Sequence, residues 1–98
     1  WQIVDMPAYE YTAVSTGPSD ADGMPSEVGF IGGGMTRRSE AVSHPVITLD
    51  VADIDAALGA VNDAGGSVVV PKQQVGDMGF VAYFADTEGN TVGMWQSA

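Results

Sequence analysis

Few residues in this chain could carry chemistry. His44 is the only histidine, and the chain contains no cysteine. The absence of cysteine excludes a Cys-His pair, the sequence does not indicate a Ser-His-Asp arrangement around the one histidine, and one imidazole cannot hold a metal ion without further donors. We therefore interpret His44 as an exposed loop side chain, with a catalytic or metal-binding role as the less favoured alternative.

Arg37 and Arg38 are two of only three cationic residues in the chain. A guanidinium can bind a carboxylate or phosphate through two parallel hydrogen bonds, so both arginines are candidate anion contacts. A surface connector with local salt bridges is the favoured alternative. The nearby glycines 32–34 do not predict a phosphate-binding loop, because the Lys-Ser/Thr pair is missing and the glycines do not open a helix.

The composition is strongly acidic and disfavours several classes of partner. The 98 residues include 13 Asp and Glu against 3 Lys and Arg, for a net charge of −10. This charge repels nucleic-acid phosphates and anionic membrane surfaces. No stretch has the pattern of a transmembrane helix or a secretion signal. We expect a cytoplasmic protein from a halophilic source, with an acidic mesophilic source as the alternative.

Apolar periodicity predicts a series of strands and a single helix. The strands are expected at residues 1–6, 9–14, 28–35, 46–51, 67–70, 79–86 and 91–96. Asp53 is the predicted N-cap of the helix, and Gly65-Gly66 is its predicted end. The apolar stripe of the helix consists of Ile54, Ala57, Leu58 and Val61. Pro71 is expected to end its strand, so that residues 72–78 form a loop.

The segment from Asp86 to Asn90 predicts a tight turn between the last two strands. Asp86 and Asn90 have short polar side chains that hydrogen-bond nearby backbone, and Gly89 can adopt a positive φ without a steric clash. This chemistry is typical of a hairpin loop of about three to five residues.

The order of the predicted elements divides the chain into two similar halves. Residues 44–98 form a complete βαβββ module, and residues 1–38 resemble the same module without its opening strand and helix. We therefore predict an α+β fold class in which residues 1–98 form a single domain of paired βαβββ modules. Because the incomplete first half leaves sheet edges that need cover, we also expect a homodimer.

Three motifs of the second half resemble the vicinal oxygen chelate superfamily of glyoxalases, bleomycin-resistance proteins and extradiol dioxygenases. They are the run from Val51 to Ala57, the Ala64-Gly65-Gly66 helix end, and the turn from Asp86 to Asn90. The resemblance covers residues 45–97 well and implies a glyoxalase-like domain. The superfamily contains enzymes and plain binding proteins, so the resemblance leaves catalysis open and identifies no catalytic residue.

Metal-using members of this superfamily place a histidine at the start of the module's first strand and a glutamate on its last strand. The resemblance implies that these positions are Val46 and Gly93 in this chain. Neither residue has a side chain that can donate to a metal ion. We therefore expect no cofactor, with a divalent metal bound through residues from elsewhere as the less favoured alternative.

Period-two alternation assigns a face to each strand residue. Ile47, Leu49, Val51, Val92 and Met94 should pack on the helix. The resemblance implies that the other face is concave and lines a pocket. The candidate pocket residues are Val46, Thr48, Val81, Tyr83, Gly93 and Trp95. Their apolar and aromatic character suits a small organic ligand, although closure of the core or of a dimer interface explains Tyr83 and Trp95 equally well.

The leading functional hypothesis is a metal-free glyoxalase-like domain that binds a small organic molecule. One alternative is a metal-dependent lyase or dioxygenase whose ligands come from a missing segment or another subunit. The other alternative is a dimerising structural module without a ligand. Neither nucleic acid nor a membrane is an expected partner under any of these hypotheses.

Overall fold

The computed structural model describes residues 1–98, which divide into two compact units, Trp1–Arg37 and Arg38–Ala98. Unit 1 contains a three-stranded sheet, and unit 2 contains a four-stranded sheet and the single α-helix. These elements confirm the predicted α+β fold class. No helix of the structure has the length and apolar character needed to cross a membrane.

Unit 1 is an antiparallel sheet with the strand order β1-β2-β3. The strands are β1 (Gln2–Met6), β2 (Tyr11–Ser15) and β3 (Gly32–Thr36), and a short 3-10 helix (Pro7–Tyr9) joins the first two. This helix ends at Glu10, whose φ of 51° lies in the left-handed region. The predicted strand over residues 9–14 therefore starts two residues later than expected.

The predicted strand over residues 28–35 is wrong in its first half. Gly29 has a φ of 95°, which breaks the extended conformation before Gly32. Ile31 instead hydrogen-bonds to Thr16: the Ile31 N–H donates to Thr16 Oγ1 at 2.9 Å, and Thr16 N–H donates to the Ile31 carbonyl at 3.2 Å. These bonds close the base of the long connection between β2 and β3.

Unit 2 has the element order βαβββ. Its elements are β4 (Thr48–Asp50), α1 (Ile54–Asp63), β5 (Ser67–Val75), β6 (Gly79–Ala85) and β7 (Thr91–Ser97). The strand order in the sheet is β4-β7-β6-β5. Strand β4 runs parallel to β7, and the other pairs are antiparallel.

Helix α1 packs on one face of the unit 2 sheet. Its buried residues Ile54 and Leu58 form the core with Ala82 and Met94, which come from β6 and β7. The Asp53 side chain accepts a hydrogen bond from the Ala56 N–H at 3.2 Å, which confirms the predicted N-cap. Gln96 of β7 adds a second contact at this end, because its Oε1 accepts from the Ile54 N–H at 2.9 Å.

Two predictions about unit 2 are wrong. Pro71 does not end a strand, because β5 continues to Val75 through irregular pairing between Val70 and Gln73. A proline fits at such an irregularity on an edge strand, where its missing N–H is not needed. Lys72 therefore lies in a strand, where its Nζ is 3.1 Å from Asp55 Oδ2 and 4.5 Å from the centroid of the Phe80 ring.

Ile47 and Leu49 also depart from prediction. Their side chains are 75% and 44% exposed, so they do not pack in the core beneath the helix. The reason is the sheet order: the helix packs on β5, β6 and β7, and β4 lies beyond them at the edge. Val51, which follows β4, does pack against the core as expected.

Candidate functional site

The face of the unit 2 sheet opposite α1 brings most of the predicted pocket residues together. Because Ala82 and Met94 point to the helix, the alternate residues of β6 and β7 point away from it. Strand register places Thr48, Gly93 and Tyr83 in one row across the sheet, and Asp50, Trp95 and Val81 in the next. We call the surface formed by these six residues the helix-free face.

Gly93 lies between two side chains of the first row. A Cβ atom at this position would be 2.7 Å from Thr48 Oγ1 and 3.2 Å from Tyr83 Cε1. Gly93 is buried although it has no side chain. The hydroxyl of Thr48 and the ring of Tyr83 therefore meet at the place where a side chain at this position would begin.

The indole of Trp95 covers Gly79 of the neighbouring strand. A Cβ atom at Gly79 would be 2.7 Å from Trp95 Cζ2 and 3.1 Å from Cη2. The ring thus extends from β7 across β6, and Trp95 is half-buried by this contact. Glycine at residue 79 lets the indole lie close to the backbone of the sheet.

Val46 precedes β4 and lines a cleft beyond the start of that strand. The cleft has a volume of about 570 Å³ and lies between residues 43–47 and residues 89–92. His44 is exposed, as predicted, and also lines this cleft. Its Nδ1 is 3.0 Å from the hydroxyl oxygen of Ser43.

The turn that borders the cleft is held by Asp86. Oδ1 of Asp86 accepts hydrogen bonds from the N–H groups of Glu88 and Asn90, at 2.9 and 2.8 Å, and Oδ2 accepts from Asn90 Nδ2 at 2.9 Å. These bonds, led by the one from the Asn90 side chain, lower the pKa of Asp86 from its ordinary value of 3.8. The positive φ of Gly89, 82°, and the backbone bonds of Asp86 confirm the predictions for those two residues, whereas the Asn90 side chain bonds the Asp86 carboxylate and not the backbone.

Arg37 and Arg38 are exposed residues in the connection that follows β3. The one ion pair of the structure joins Lys72 to Asp55, so the expected local salt bridges of the arginines do not form. Both guanidinium groups are also without a hydrogen-bond partner. Their role as anion contacts stays a prediction.

Two residues of the site were missed by the sequence analysis. Asp50 follows Thr48 by two positions on β4 and pairs with Trp95, so period-two alternation from Thr48 could have found it. For Gly79 the sequence predicts only the start of a strand. Its contact with the Trp95 indole depends on the pairing of β6 with β7, and no local sequence signal indicates that contact.

Comparison with known proteins establishes the family. The family model of the Glyoxalase/Bleomycin resistance protein/Dioxygenase superfamily matches residues 1–94. The chain belongs to this superfamily. Two relatives, both named "Putative glyoxylase CFP32", come from Mycobacterium bovis and Mycobacterium tuberculosis. Each is 38% identical over 47 residues, which make up 48% of this chain and 18% of the relative.

The side chains of this chain alone do not assemble a site for a divalent metal ion. Val46 and Gly93 occupy the two positions that the family resemblance implies for ligands, and neither has a donor atom. No group of three or more His, Cys, Asp or Glu side chains is arranged to hold a metal ion in the structure. Nitrogen and carboxylate oxygen donors of this kind are what such an ion requires.

Proposed function

We propose that the chain binds a small organic molecule on the helix-free face of unit 2, without a metal ion held by its own residues. The observation that carries this proposal is the position of Gly93 between Thr48 and Tyr83. A metal-binding relative would present a carboxylate from this position, whereas here a hydroxyl and an aromatic ring close around it. The chemistry of the row is therefore that of hydrogen bonding and aromatic contact.

Trp95 and Val81 of the second row supply an apolar surface for the ligand. Trp95 and Val81 are paired neighbours on β7 and β6, and Tyr83 follows Val81 on the same face. Aromatic rings offer large apolar contact areas together with polar edges, and pockets for organic ligands are lined mainly by such groups. The hydroxyls of Thr48 and Tyr83 are the polar groups that orient the molecule.

Three soluble probes of similar shape test this proposal: 2-phenylethanol, 2-phenylethylammonium and 3-phenylpropionate. Binding to the purified chain is measured by ligand-observed NMR in buffer with EDTA. We expect at least one probe to bind. Trp95→Leu should weaken it about tenfold or more, because truncation of a central aromatic contact commonly costs more than 1.4 kcal/mol.

Trp1 provides the matched control, because it is a second tryptophan, 88% exposed, in unit 1. Trp1→Leu should leave the affinity unchanged. Equal weakening by the two variants, or no binding of any probe in EDTA, would contradict the proposal. Binding that appears only after Zn²⁺, Mn²⁺ or Ni²⁺ is added would favour the metal-dependent alternative.

We also propose that the chain forms a homodimer. The supporting observation is the number of exposed large apolar side chains in unit 1: Ile3, Val28 and Met35 are 61%, 104% and 56% exposed. Exposed apolar side chains in such number are commonly covered at an interface. Sedimentation equilibrium should give twice the monomer mass of 10.1 kDa, and a monomer at all concentrations would contradict the proposal.

A further inference from the structure

Asp50 is the one charged residue among the strand residues of the helix-free face. Its row neighbours Trp95, Val81 and Gln73 are uncharged, and so are the residues of the Thr48 row. Asp50 is exposed, and its carboxylate has no hydrogen-bond or ion-pair partner in the structure. The helix-free face therefore presents a single uncompensated negative charge.

No cation of unit 2 is placed to neutralise Asp50. Lys72 lies on the helix side of the sheet, where it is bound to Asp55 and lies over the Phe80 ring. Arg38 has no ion-pair partner. Since the chain as a whole carries a net charge of −10, its field attracts cations and repels anions on approach.

The two ends of the Asp50 row differ in character. Asp50 is on β4, whereas the Trp95 indole extends to the opposite side of β7 and lies over Gly79 of β6. Adjacent strands are about 4.8 Å apart, so a molecule lying across β7 spans roughly 10 Å from β4 to β6. One end of such a molecule would contact the Asp50 carboxylate and the Thr48 hydroxyl, and the other end would contact the Trp95 indole.

We propose that the ligand of this face is an arylalkylammonium: a protonated amine joined by a short chain to an aromatic group. The ammonium group lies at Asp50, with Thr48 as a second acceptor, and the aromatic group contacts Trp95 and Val81. This inference rests on the proposed function, since it specifies the chemical class of the ligand at the same face. It opposes the use of Arg37 and Arg38 as contacts for an anionic ligand.

The three probes used above differ mainly in their polar end, which is a hydroxyl, an ammonium or a carboxylate. Trp95 fluorescence reports their binding in a Trp1→Phe background, where Trp95 is the remaining tryptophan. We expect the ammonium probe to bind more tightly than the alcohol, and the carboxylate to bind most weakly. Asp50→Asn should weaken the ammonium probe about threefold, as for an exposed ion pair, and leave the alcohol unaffected.

Asp63→Asn is the matched control, because it also removes one negative charge but lies at the end of α1. It should not alter the order of the three affinities. Equal or tighter binding of the alcohol or the carboxylate would overturn the assignment of a cationic ligand, while leaving ligand binding itself established. Equal weakening by the two Asp variants would overturn the role of Asp50, and failure of all three probes to bind would overturn the proposed function as well.

Discussion

Thr48 and Gly93 are direct neighbours on two parallel strands, and the hydroxyl of Thr48 lies over the α-carbon of Gly93. An ideal Cβ at residue 93 would be 2.7 Å from Thr48 Oγ1, closer than real side chains tolerate. The pair explains how a position that the family resemblance assigns to a metal ligand is instead closed by a threonine. Because the threonine hydroxyl occupies this space, a residue larger than glycine fits at position 93 only if residue 48 is smaller.

Gly93→Ala should therefore destabilise the fold by about 1–3 kcal/mol, the usual cost of inserting a methyl group into a packed site. In a Thr48→Ala background, the same substitution should cost less, because the nearest remaining atom, Tyr83 Cε1, is 3.2 Å away. Urea unfolding of the four proteins measures this coupling.

Gly59→Ala serves as the control for this cycle. Gly59 lies on α1, where an added Cβ meets no atom within 4 Å, so alanine should stabilise the helix slightly. Identical costs for Gly93→Ala in the two backgrounds would show that Thr48 does not close the position.

Gly79→Ala should displace the indole of Trp95. The added methyl group would lie 2.7 Å from Trp95 Cζ2 and closer still to the backbone carbonyl of Gln96, so both the ring and the backbone of β7 have to move away from residue 79. With Trp1→Phe in place, the fluorescence emission should shift to longer wavelength as the indole becomes more exposed. An unchanged spectrum would mean that the indole does not rest on this strand.

Gln96 should contribute to the stability of α1 through its bond to the Ile54 N–H. Gln96→Ala leaves this partly buried donor without a partner and should cost about 1–2 kcal/mol. Gln96→Glu keeps an acceptor and adds a negative charge at the helix N-terminus, so it should be neutral or stabilising at pH 7. Equal destabilisation by both substitutions in urea unfolding would argue against a capping role.

Asp86 should make the stability of unit 2 dependent on acid pH. Hydrogen bonds from Asn90 and Glu88 lower the pKa of Asp86 in the folded protein below its ordinary value of 3.8. In acid, the Asp86 carboxylate therefore takes up a proton more readily in the unfolded chain than in the folded protein. The contribution of Asp86 to the free energy of unfolding is therefore fully present above the ordinary carboxyl pKa. It is lost as the pH falls through the lowered pKa of the folded protein.

Asp86→Asn tests this linkage, because it replaces the carboxylate by a neutral amide. The variant should be less stable than the parent at pH 7, and the difference should shrink as the pH is lowered below the ordinary carboxyl pKa. Asp63→Asn is the matched control for the removal of one negative charge, because no hydrogen bond to the Asp63 side chain is present in the structure. A difference between Asp86→Asn and the parent that is constant with pH would contradict the assignment.

Local chemistry was sufficient to predict the helix of unit 2 and its closing turn. Asp53 caps the helix and Asp86 organises the turn through bonds to residues two to four positions away. Interactions of this range are encoded in short segments. The family resemblance then indicated how the strands and the helix pack together. The faces of β6 and β7 followed from alternation because both strands are regular.

The predictions that failed depend on the order of strands in the sheet. Pro71 remains inside a strand because β5 is an edge strand with irregular pairing. Ile47 and Leu49 are exposed because β4 lies at the opposite edge, beyond the helix. The contact between Trp95 and Gly79 likewise depends on pairing between distant segments, so periodicity along the chain does not indicate it.

The most direct test of the account is a ¹H–¹⁵N NMR titration of the chain with 2-phenylethylammonium in EDTA, repeated with added Zn²⁺. We predict shifts of the backbone amides of Thr48, Tyr83 and Gly93 and of the Trp95 indole N–H, with the same affinity in both buffers. Shifts that require Zn²⁺, or that are confined to the cleft beside His44, would contradict metal-free binding on the helix-free face.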